Sequence, residues 1–306
     1  MKLSIVATLY QSDPYIREFY ERSTVAAQKL VGEDYEIILV NDGSPDRSLE
    51  MAIELVEQDK HVKVIDLSRN FGHHKAMMTG LEYARGDRIF LIDSDLEEDP
   101  EWLISFSEQM EKEQCDVIYG VQKQRKGNLY ERWTGEWFYS LFNRLTGMEL
   151  PRNVVTARLM TRHYVEALLL HKEREVFLAG IWHITGFDQH PQTVNKKDSS
   201  ETTYTLRKKF SILINSVTSF SNRPLIWIFY LGISICLISM GYIIYLIIHW
   251  IFLTPLSGWT SIVASIWLLG GMIISFIGVI GIYLSKIFIE TKERPYTIIK
   301  KIYGKQ

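Results

Sequence analysis

Cysteine is scarce in this chain of 306 residues, which has only Cys115 and Cys236. The two lie far apart in different kinds of segment, which argues against a disulfide framework and fits a reducing compartment. The sequence contains neither the dinucleotide fingerprint G-x-G-x-x-G nor the P-loop pattern G-x-x-x-x-G-K-[ST]. A dinucleotide-dependent redox fold and a P-loop NTPase are therefore unsupported. The formal net charge is only −2, so the chain lacks a basic excess and we expect no nucleic-acid partner.

Charged residues are absent from one long interval, since no Asp, Glu, Lys or Arg occurs between Arg223 and Lys286. Two apolar segments, residues 225–248 and about 262–284, occupy this interval. At about 1.5 Å per helical residue, each segment exceeds the roughly 30 Å hydrocarbon core of a bilayer. The link between them carries proline and glycine, which form turns. We predict a two-helix transmembrane hairpin, and a buried helical pair in a soluble core is the alternative.

Lysine and arginine residues flank this hairpin on both outer sides, whereas the link has none. The positive-inside rule predicts that both termini lie in the cytoplasm, and we expect a multi-pass protein of the inner (cytoplasmic) membrane. We expect four parts in chain order. They are a cytoplasmic catalytic or binding domain over residues 1–204, a basic amphipathic helix lying on the membrane over 205–223, the hairpin over 224–289, and a basic cytoplasmic tail over 290–306.

The first hundred residues alternate short apolar runs with amphipathic helical segments. Strands are expected at residues 3–9, 35–40, 62–67 and 89–92. Helices are expected at about residues 16–30, 48–58 and 75–84. This alternation indicates βαβ units, and right-handed crossovers make them a doubly wound α/β fold with a mainly parallel sheet.

Polar side chains follow each predicted strand at its carboxyl end. They are Tyr10 with Gln11, Asn41 with Asp42, Arg69 with Asn70, and Asp93 with Asp95. In an open parallel sheet the loops after neighbouring strands line one crevice, which is where ligands bind. The sequence therefore predicts a ligand site made of these loops.

Residues 88–100, RIFLIDSDLEEDP, contain the most informative of these loops. Asp93 and Asp95 lie one residue apart, and they point the same way if the chain is still extended there. Two carboxylates aimed at one point suit Mg²⁺ or Mn²⁺, which usually also hold phosphate oxygens. The alternative is a polar loop whose acidic residues cap the next helix, and the spacing alone leaves both open.

Four ordered motifs, ATLYQS, ILVNDGSPD, LSRNFGHHKAMMTGLEYARGD and FLIDSDLEEDPEW, resemble the family 2 glycosyltransferases of the GT-A fold. With the two C-terminal spans, the resemblance narrows to the polyprenyl-phosphate glycosyltransferases and covers essentially the whole chain. It implies a metal-dependent, inverting transfer of a sugar from a nucleotide diphosphate-sugar, with UDP expected, to a polyprenyl phosphate lipid, with undecaprenyl phosphate expected. The lipid-linked sugar would serve modification of cell-envelope glycans such as lipopolysaccharide.

The resemblance implies how the donor is held. Leu9 and Tyr10 would border the base, and Asp42 would accept hydrogen bonds from the base or the ribose. Arg69 and Asn70 would complete the nucleotide-sugar site. For Asp42, the alternative role is to cap its own turn.

The resemblance also implies a cofactor, Mg²⁺ or Mn²⁺. Asp95 would bind the metal that bridges the phosphates, while Asp93 would face the sugar or ribose and assist the metal. Relatives carry Gln where this chain has Glu97, which we expect to be a further metal ligand. The alternative for Glu97 is a carboxylate in the first turn of the next helix. His73 and His74 lack the spacing of zinc ligands and are expected to be structural or to line the substrate.

For the acceptor phosphate, the resemblance implies Arg125, Arg132 and Arg158, with Lys197 in place of an arginine that relatives carry in a loop over the site. The alternatives are a solvated basic loop for the first two and a structural ion pair for Arg158. Thr156 replaces an Asp that is often proposed as the general base. Because a phosphate monoester has a second pKa near 6, it is largely ionised and needs positioning more than deprotonation.

Small residues on the second span, among them Gly271, Ser275 and Gly278, favour close helix packing. They would pack either within the hairpin or in a homo-oligomer, a dimer or tetramer. Two other functions compete with the one above. One is a non-catalytic membrane scaffold that binds a nucleotide-sugar, and the other is a glycosyltransferase of the same fold with a different acceptor.

Overall fold

The structure is a computed structural model that describes residues 1–122, 151, 153–174, 176–196, 217–218, 221–252 and 258–304. The described residues divide into two units. The first contains the N-terminal strands and helices together with residues from Arg294 onward. The second contains two long C-terminal helices.

Strands and helices alternate in the first unit, as predicted. The strands are β1 (Leu3–Leu9), β2 (Tyr35–Asn41), β3 (Val62–Leu67), β4 (Arg88–Leu91), β5 (Val117–Gln122), β6 (Val154–Thr161), β7 (Gln189–Val194) and β8 (Ile299–Tyr303). The helices are α1 (Ile16–Val31), α2 (Ser48–Gln58), α3 (His73–Tyr83), α4 (Trp102–Glu113), α5 (Arg162–Leu168) and α6 (Leu178–Ile184). The predicted strands and helices of the first hundred residues are all present, although α3 begins at His73 rather than at residue 75.

The strands form one sheet in the order β7-β5-β6-β4-β1-β2-β3-β8. The neighbouring strands β4, β1, β2 and β3 are parallel, and β6 and β8 join them antiparallel on either side. Every residue of β1, β2 and β3 is buried. Helices on both faces of a parallel sheet explain why these strands have continuous apolar runs instead of an alternating pattern. The mainly parallel core of the α/β prediction is therefore confirmed.

Residues 290–306, expected as a basic tail, contain strand β8. This strand pairs with β3 and places Ile302 opposite Ile65. The residues just before it pack on α3, where Thr297 and Thr79 share a hydrogen bond of 2.8 Å between their hydroxyl oxygens. The Tyr296 hydroxyl donates to Glu82 of the same helix at 2.9 Å. From Arg294 onward, the segment is thus part of the sheet unit.

The second unit contains α7 (Arg223–Phe252) and α8 (Trp259–Thr291). Both are long and apolar enough to cross a membrane, with candidate spans at Arg223–Tyr242 and Leu268–Thr291. Their mean hydropathies are 2.0 and 2.2, and neither span is buried within the structure. A helical pair in a soluble core would bury such surface, so that alternative loses its support. The amphipathic helix expected over residues 205–223 falls mostly outside the described residues, and the homo-oligomer stays a prediction.

Removing β8 should weaken the sheet at β3. A chain that ends at Thr291 would leave the backbone groups of β3 unpaired on one side, and an open edge exchanges its amide hydrogens faster. We expect the amides of β3 to exchange about tenfold faster or more than in the full chain, as measured by hydrogen–deuterium exchange with mass spectrometry. The control is a chain that lacks only Lys305 and Gln306, which follow β8. Unchanged protection of β3 in the shorter chain would contradict a structural role for β8.

Candidate active site

The loops that follow β1, β2 and β3 are joined by hydrogen bonds of Asp42. The backbone N–H of Asp42, directly after β2, donates to the carbonyl of Leu9 at the end of β1 at 3.1 Å. The carboxylate of Asp42 accepts from the backbone N–H groups of Phe71 and Gly72, at 2.7 and 3.0 Å. The structure therefore brings three of the predicted loops together at one edge of the sheet.

Through these hydrogen bonds, Asp42 holds the loop after β3 in place instead of capping its own turn. Its side chain is buried, and burial raises the pKa of its carboxyl even though the two N–H groups act the other way. Gly43 permits this approach, because its φ is +61° and a Cβ there would lie 2.5 Å from the backbone nitrogen of Asn70. Each carboxylate oxygen keeps a second lone pair. The predicted hydrogen bond from Asp42 to a nucleotide therefore stays a prediction.

The other predicted donor contacts differ in their accessibility. Leu9 is fully buried in the core, whereas the neighbouring Tyr10 is 49% exposed at the mouth of the loops. Of these two, only Tyr10 offers its side chain to a ligand. Arg69 and Asn70 are exposed, and the Arg69 guanidinium lies 4.1 Å above the ring centre of Phe71.

Asp93 lies in the acidic loop, which is the loop after β4 that carries Asp93, Asp95, Glu97 and Glu98. The hydroxyl of Thr156, on β6, donates to Asp93 Oδ2 at 2.8 Å, and His73 Nε2 lies 3.1 Å from Asp93 Oδ1. Burial alone would raise the pKa of Asp93, but His73 and Thr156 lower it, so that the carboxylate stays ionised. The resemblance placed Thr156 where relatives carry an Asp, and in this chain Thr156 is a hydrogen-bond donor to Asp93.

Asp95 is brought near Asp93 by a turn. Strand β4 ends at Leu91, so the extended backbone that would align the two side chains is absent, and Leu96 has a left-handed φ of 59°. Asp95 Oδ1 accepts from the backbone N–H of Glu97 at 3.0 Å. Burial, together with the charge of Asp93, raises the pKa of Asp95. A cation between these carboxylates would relieve their repulsion.

His73 contacts Asp93 directly, whereas sequence analysis expected only a structural or substrate-lining role for it. It is the first residue of α3, and its Nδ1 shares a hydrogen bond of 2.9 Å with the hydroxyl of Thr8 on β1. Burial would lower the pKa of His73, but its contact with Asp93 raises it. The position of His73 directly after the β3 loop was the only sequence signal for this role.

Glu98 is a second residue that sequence analysis missed. It is fully buried, and its two oxygens accept from the backbone N–H groups of Thr156 and Ala157 at 2.9 and 2.8 Å. Burial and the charge of Asp93 raise its pKa to about 8. The helix that follows, α4, begins at Trp102 and has no acidic residue in its first turn. The alternative that these glutamates belong to a first helical turn is therefore wrong.

Lys196, just after β7, pairs with the acidic loop. Its Nζ lies 2.9 Å from Glu97 Oε2 and 3.7 Å from Glu98 Oε1. Burial would lower the pKa of this lysine, but Glu98 and Glu97 raise it, so Lys196 stays cationic. Sequence analysis pointed to the neighbouring Lys197 instead. Lys197 lies outside the described residues, as do Arg125 and Arg132.

The acidic loop has the donor chemistry for a divalent cation. Among the described residues, no three His, Cys, Asp or Glu side chains converge into a complete metal cage. Mg²⁺ is usually held through one or two carboxylates together with substrate phosphates, so such a cage is not required. Asp93 Oδ1 is buried without a well-formed hydrogen bond, and the Asp95 carboxylate lies close by. These two residues fit a cation that binds together with a diphosphate.

Arg158 lies beneath the site on β6. It is 2% exposed, its guanidinium stacks on the ring of Trp182, and its Nε donates to the carbonyl of Thr156 at 3.3 Å. Burial lowers its pKa to about 9. The structural ion pair, the alternative role for Arg158, is not among these contacts with described residues. Its predicted contact with a phosphate stays a prediction.

Comparison with known proteins shows the family of the chain. The sequence model of glycosyl transferase family 2 matches residues 4–169. The chain belongs to glycosyl transferase family 2. A protein of Mycobacterium tuberculosis (strain CDC 1551 / Oshkosh) named as putative glycosyltransferases is 52% identical over 305 residues, which are 99% of this chain and 89% of that protein.

Two further comparisons give another named relative and a solved structure. The SfII prophage-derived bactoprenol glucosyl transferase of Shigella flexneri is 34% identical over 307 residues, which are 98% of each chain. The crystal structure of S. aureus TarS 1–349 in complex with UDP-GlcNAc has a TM-score of 0.50 at 16% identity, over 72% of this chain and 66% of that one. The second likeness shows the fold alone. Family membership makes the chain a glycosyltransferase and removes support for a non-catalytic scaffold.

Replacing Thr156 with alanine should leave substantial sugar-transfer activity. The substitution removes one hydrogen bond to Asp93, worth about 1 kcal/mol, which corresponds to roughly a fivefold change in rate. Steady-state transfer by Thr156→Ala, with Thr156→Ser as the hydroxyl-retaining control, measures the effect. A loss of about 100-fold or more with unchanged donor binding would show that Thr156 is required for the chemistry.

Proposed function

We propose that this glycosyltransferase transfers a sugar, with inversion, from a UDP-sugar to the phosphate of undecaprenyl phosphate or a similar polyprenyl lipid at the cytoplasmic face of the membrane. The product would supply sugar for the modification of cell-envelope glycans. The observation that carries the proposal is the acidic loop of Asp93 and Asp95, set beside the loops after β1, β2 and β3. In the same chain, two helices are long and apolar enough to cross a membrane.

The donor would bind across the loops after β1 to β4. Tyr10 is exposed there to meet the base, and Asp42 retains acceptor capacity toward the base or ribose. Asp93 and Asp95 would hold a divalent cation against the diphosphate. When bound, Mg²⁺ or Mn²⁺ would supply Lewis-acid neutralisation of the charge that grows on the leaving nucleotide diphosphate. His73 and Thr156 would keep the carboxylate of Asp93 ionised and oriented.

The acceptor needs to be positioned more than it needs a base. A polyprenyl phosphate has a second pKa near 6, so its oxygen is already a charged nucleophile at neutral pH. The hydroxyl of Thr156 donates a hydrogen bond to Asp93, which suits orientation and not proton abstraction. Arg125, Arg132, Arg158 and Lys197 are proposed to hold the acceptor phosphate, because guanidinium and ammonium groups bind phosphate oxygens well. None of the acidic-loop carboxylates is proposed as the base.

The topology of the sheet supports a hairpin with both ends in the cytoplasm. The chain before α7 forms the sheet, and the chain after α8 returns to the same sheet as β8 beside β3. If α7 and α8 both cross a membrane, their outer ends must therefore lie on one side of it. The positive charges that flank the helices favour the cytoplasmic side of the inner membrane.

Substitution of Asp95 tests the proposed chemistry. In purified full-length protein with polyprenyl phosphate in vesicles, Asp95→Ala should lower the formation of lipid-linked sugar by about 100-fold or more, since charge stabilisation of the leaving group is lost. Asp95→Asn, which preserves the shape of the side chain, should lose activity as well.

The control is Glu108→Ala, which removes an exposed carboxylate from α4 and should keep full activity. Products are measured by mass spectrometry of the lipid fraction. Full activity of Asp95→Ala would contradict the metal-dependent mechanism.

A further inference from the structure

The ion pair between Lys196 and Glu97 is shielded from solvent. The side chain of Lys196 is 22% exposed and that of Glu97 is 12% exposed. A surface pair of the same chain, Arg47 with Glu50, has side chains that are 71% and 70% exposed. Water screens such a surface pair strongly, whereas a shielded pair interacts more strongly at the same distance. The contact with Lys196 therefore has a substantial influence on what else Glu97 can bind.

This ion pair lies on the loop that carries the two aspartates. The backbone N–H of Glu97 donates to Asp95 Oδ1, so Glu97 and Asp95 are held in one turn. Lys196 reaches this turn from the end of β7, and its second contact is with the buried Glu98. On the other side of the loop, His73 Nε2 lies against Asp93 Oδ1. Lys196 is thus a cation in direct contact with Glu97.

A lysine ammonium and a divalent cation compete for one carboxylate oxygen. Lys196 Nζ lies 2.9 Å from Glu97 Oε2, whereas Mg²⁺ binds carboxylate oxygens at about 2.0–2.1 Å. Both cations cannot use that oxygen without strong mutual repulsion. A diphosphate that enters the loop would bring new oxygens, which an ammonium group binds readily.

We propose that Lys196 withholds Glu97 from a divalent cation until a nucleotide diphosphate gives Lys196 another anionic partner, so that cation and nucleotide bind cooperatively. The inference rests on the proposed function, since it concerns the same donor site. It assigns Lys196 a role in the order of binding, and it makes the contribution of Glu97 to the cation conditional on the nucleotide.

A thermodynamic cycle on Mn²⁺ binding tests the competition. Free Mn²⁺ is measured by electron paramagnetic resonance during titration of the full-length protein without nucleotide. The four proteins are the wild type, Lys196→Met, Glu97→Gln and the double variant. We expect Lys196→Met to raise Mn²⁺ affinity by about fivefold or more in the wild-type background and to have little effect in the Glu97→Gln background.

A second arm adds UDP to the wild type and to Lys196→Met. The complex of Mn²⁺ with free UDP is the same in both titrations and cancels from the comparison. UDP should enhance Mn²⁺ affinity less in Lys196→Met than in the wild type, by about the factor gained without nucleotide. The matched control is Lys112→Met, which removes an exposed lysine from α4 and should behave as the wild type.

Three results would overturn the proposal. Lys196→Met with unchanged or weaker Mn²⁺ affinity would show that the pair is only structural, and an equal gain in both Glu97 backgrounds would show general charge repulsion. Absence of Mn²⁺ binding to all four proteins would exclude the competition altogether.

Lys196→Gln repeats the test if Lys196→Met does not fold, and Lys196→Arg should retain wild-type affinity. Because the readout is Mn²⁺ binding, a failure of sugar transfer would count against the proposed function and leave this cycle interpretable.

Discussion

The buried carboxyl group of Glu98 joins the acidic loop to strand β6. One oxygen accepts from the backbone of Thr156 and the other from that of Ala157, so the acidic loop after β4 is fixed to β6. Each buried N–H group left without a partner would cost about 1–3 kcal/mol, which makes this attachment expensive to break. The attachment also sets the position of Asp93 against the Thr156 hydroxyl and brings Glu97 within reach of Lys196. The positions of the charged groups in the site therefore depend on one carboxyl group, that of Glu98, which need not touch a substrate.

The same sheet links the site to the two apolar helices. Strand β3 ends in the loop that Asp42 clamps, and β8, which follows α8, pairs along β3. The chain that leaves the sheet for α7 therefore comes back to it after α8. This connectivity places the strands before α7 and the strand after α8 in one unit. It also explains why residues after the second helix contribute to the fold of the first unit.

Local patterns in the sequence predicted strands β1 to β4, the helices between them and the polar loops that follow the strands. The continuous apolar runs of β1 to β3 exist because both faces of the sheet are covered, and polar residues follow them where the crevice lies. The contacts that complete the site are long-range: Glu98 is 58 residues from Thr156, and Thr8 is 65 residues from His73. No local periodicity encodes which loops will meet. Strand β8 was missed for a related reason, because its two central lysines resemble a solvated tail and also suit an edge strand.

The central claim is that this glycosyltransferase uses a polyprenyl phosphate as its acceptor. The most direct test is to incubate the purified full-length protein, in vesicles that contain undecaprenyl phosphate, with a panel of nucleotide diphosphate-sugars and a divalent cation. Mass spectrometry then follows both the lipid and the nucleotide. The account predicts, for one donor of the panel, a lipid-linked glycosyl phosphate formed in step with the released nucleotide diphosphate. Release of nucleotide without any glycosylated lipid, across the whole panel, would contradict it.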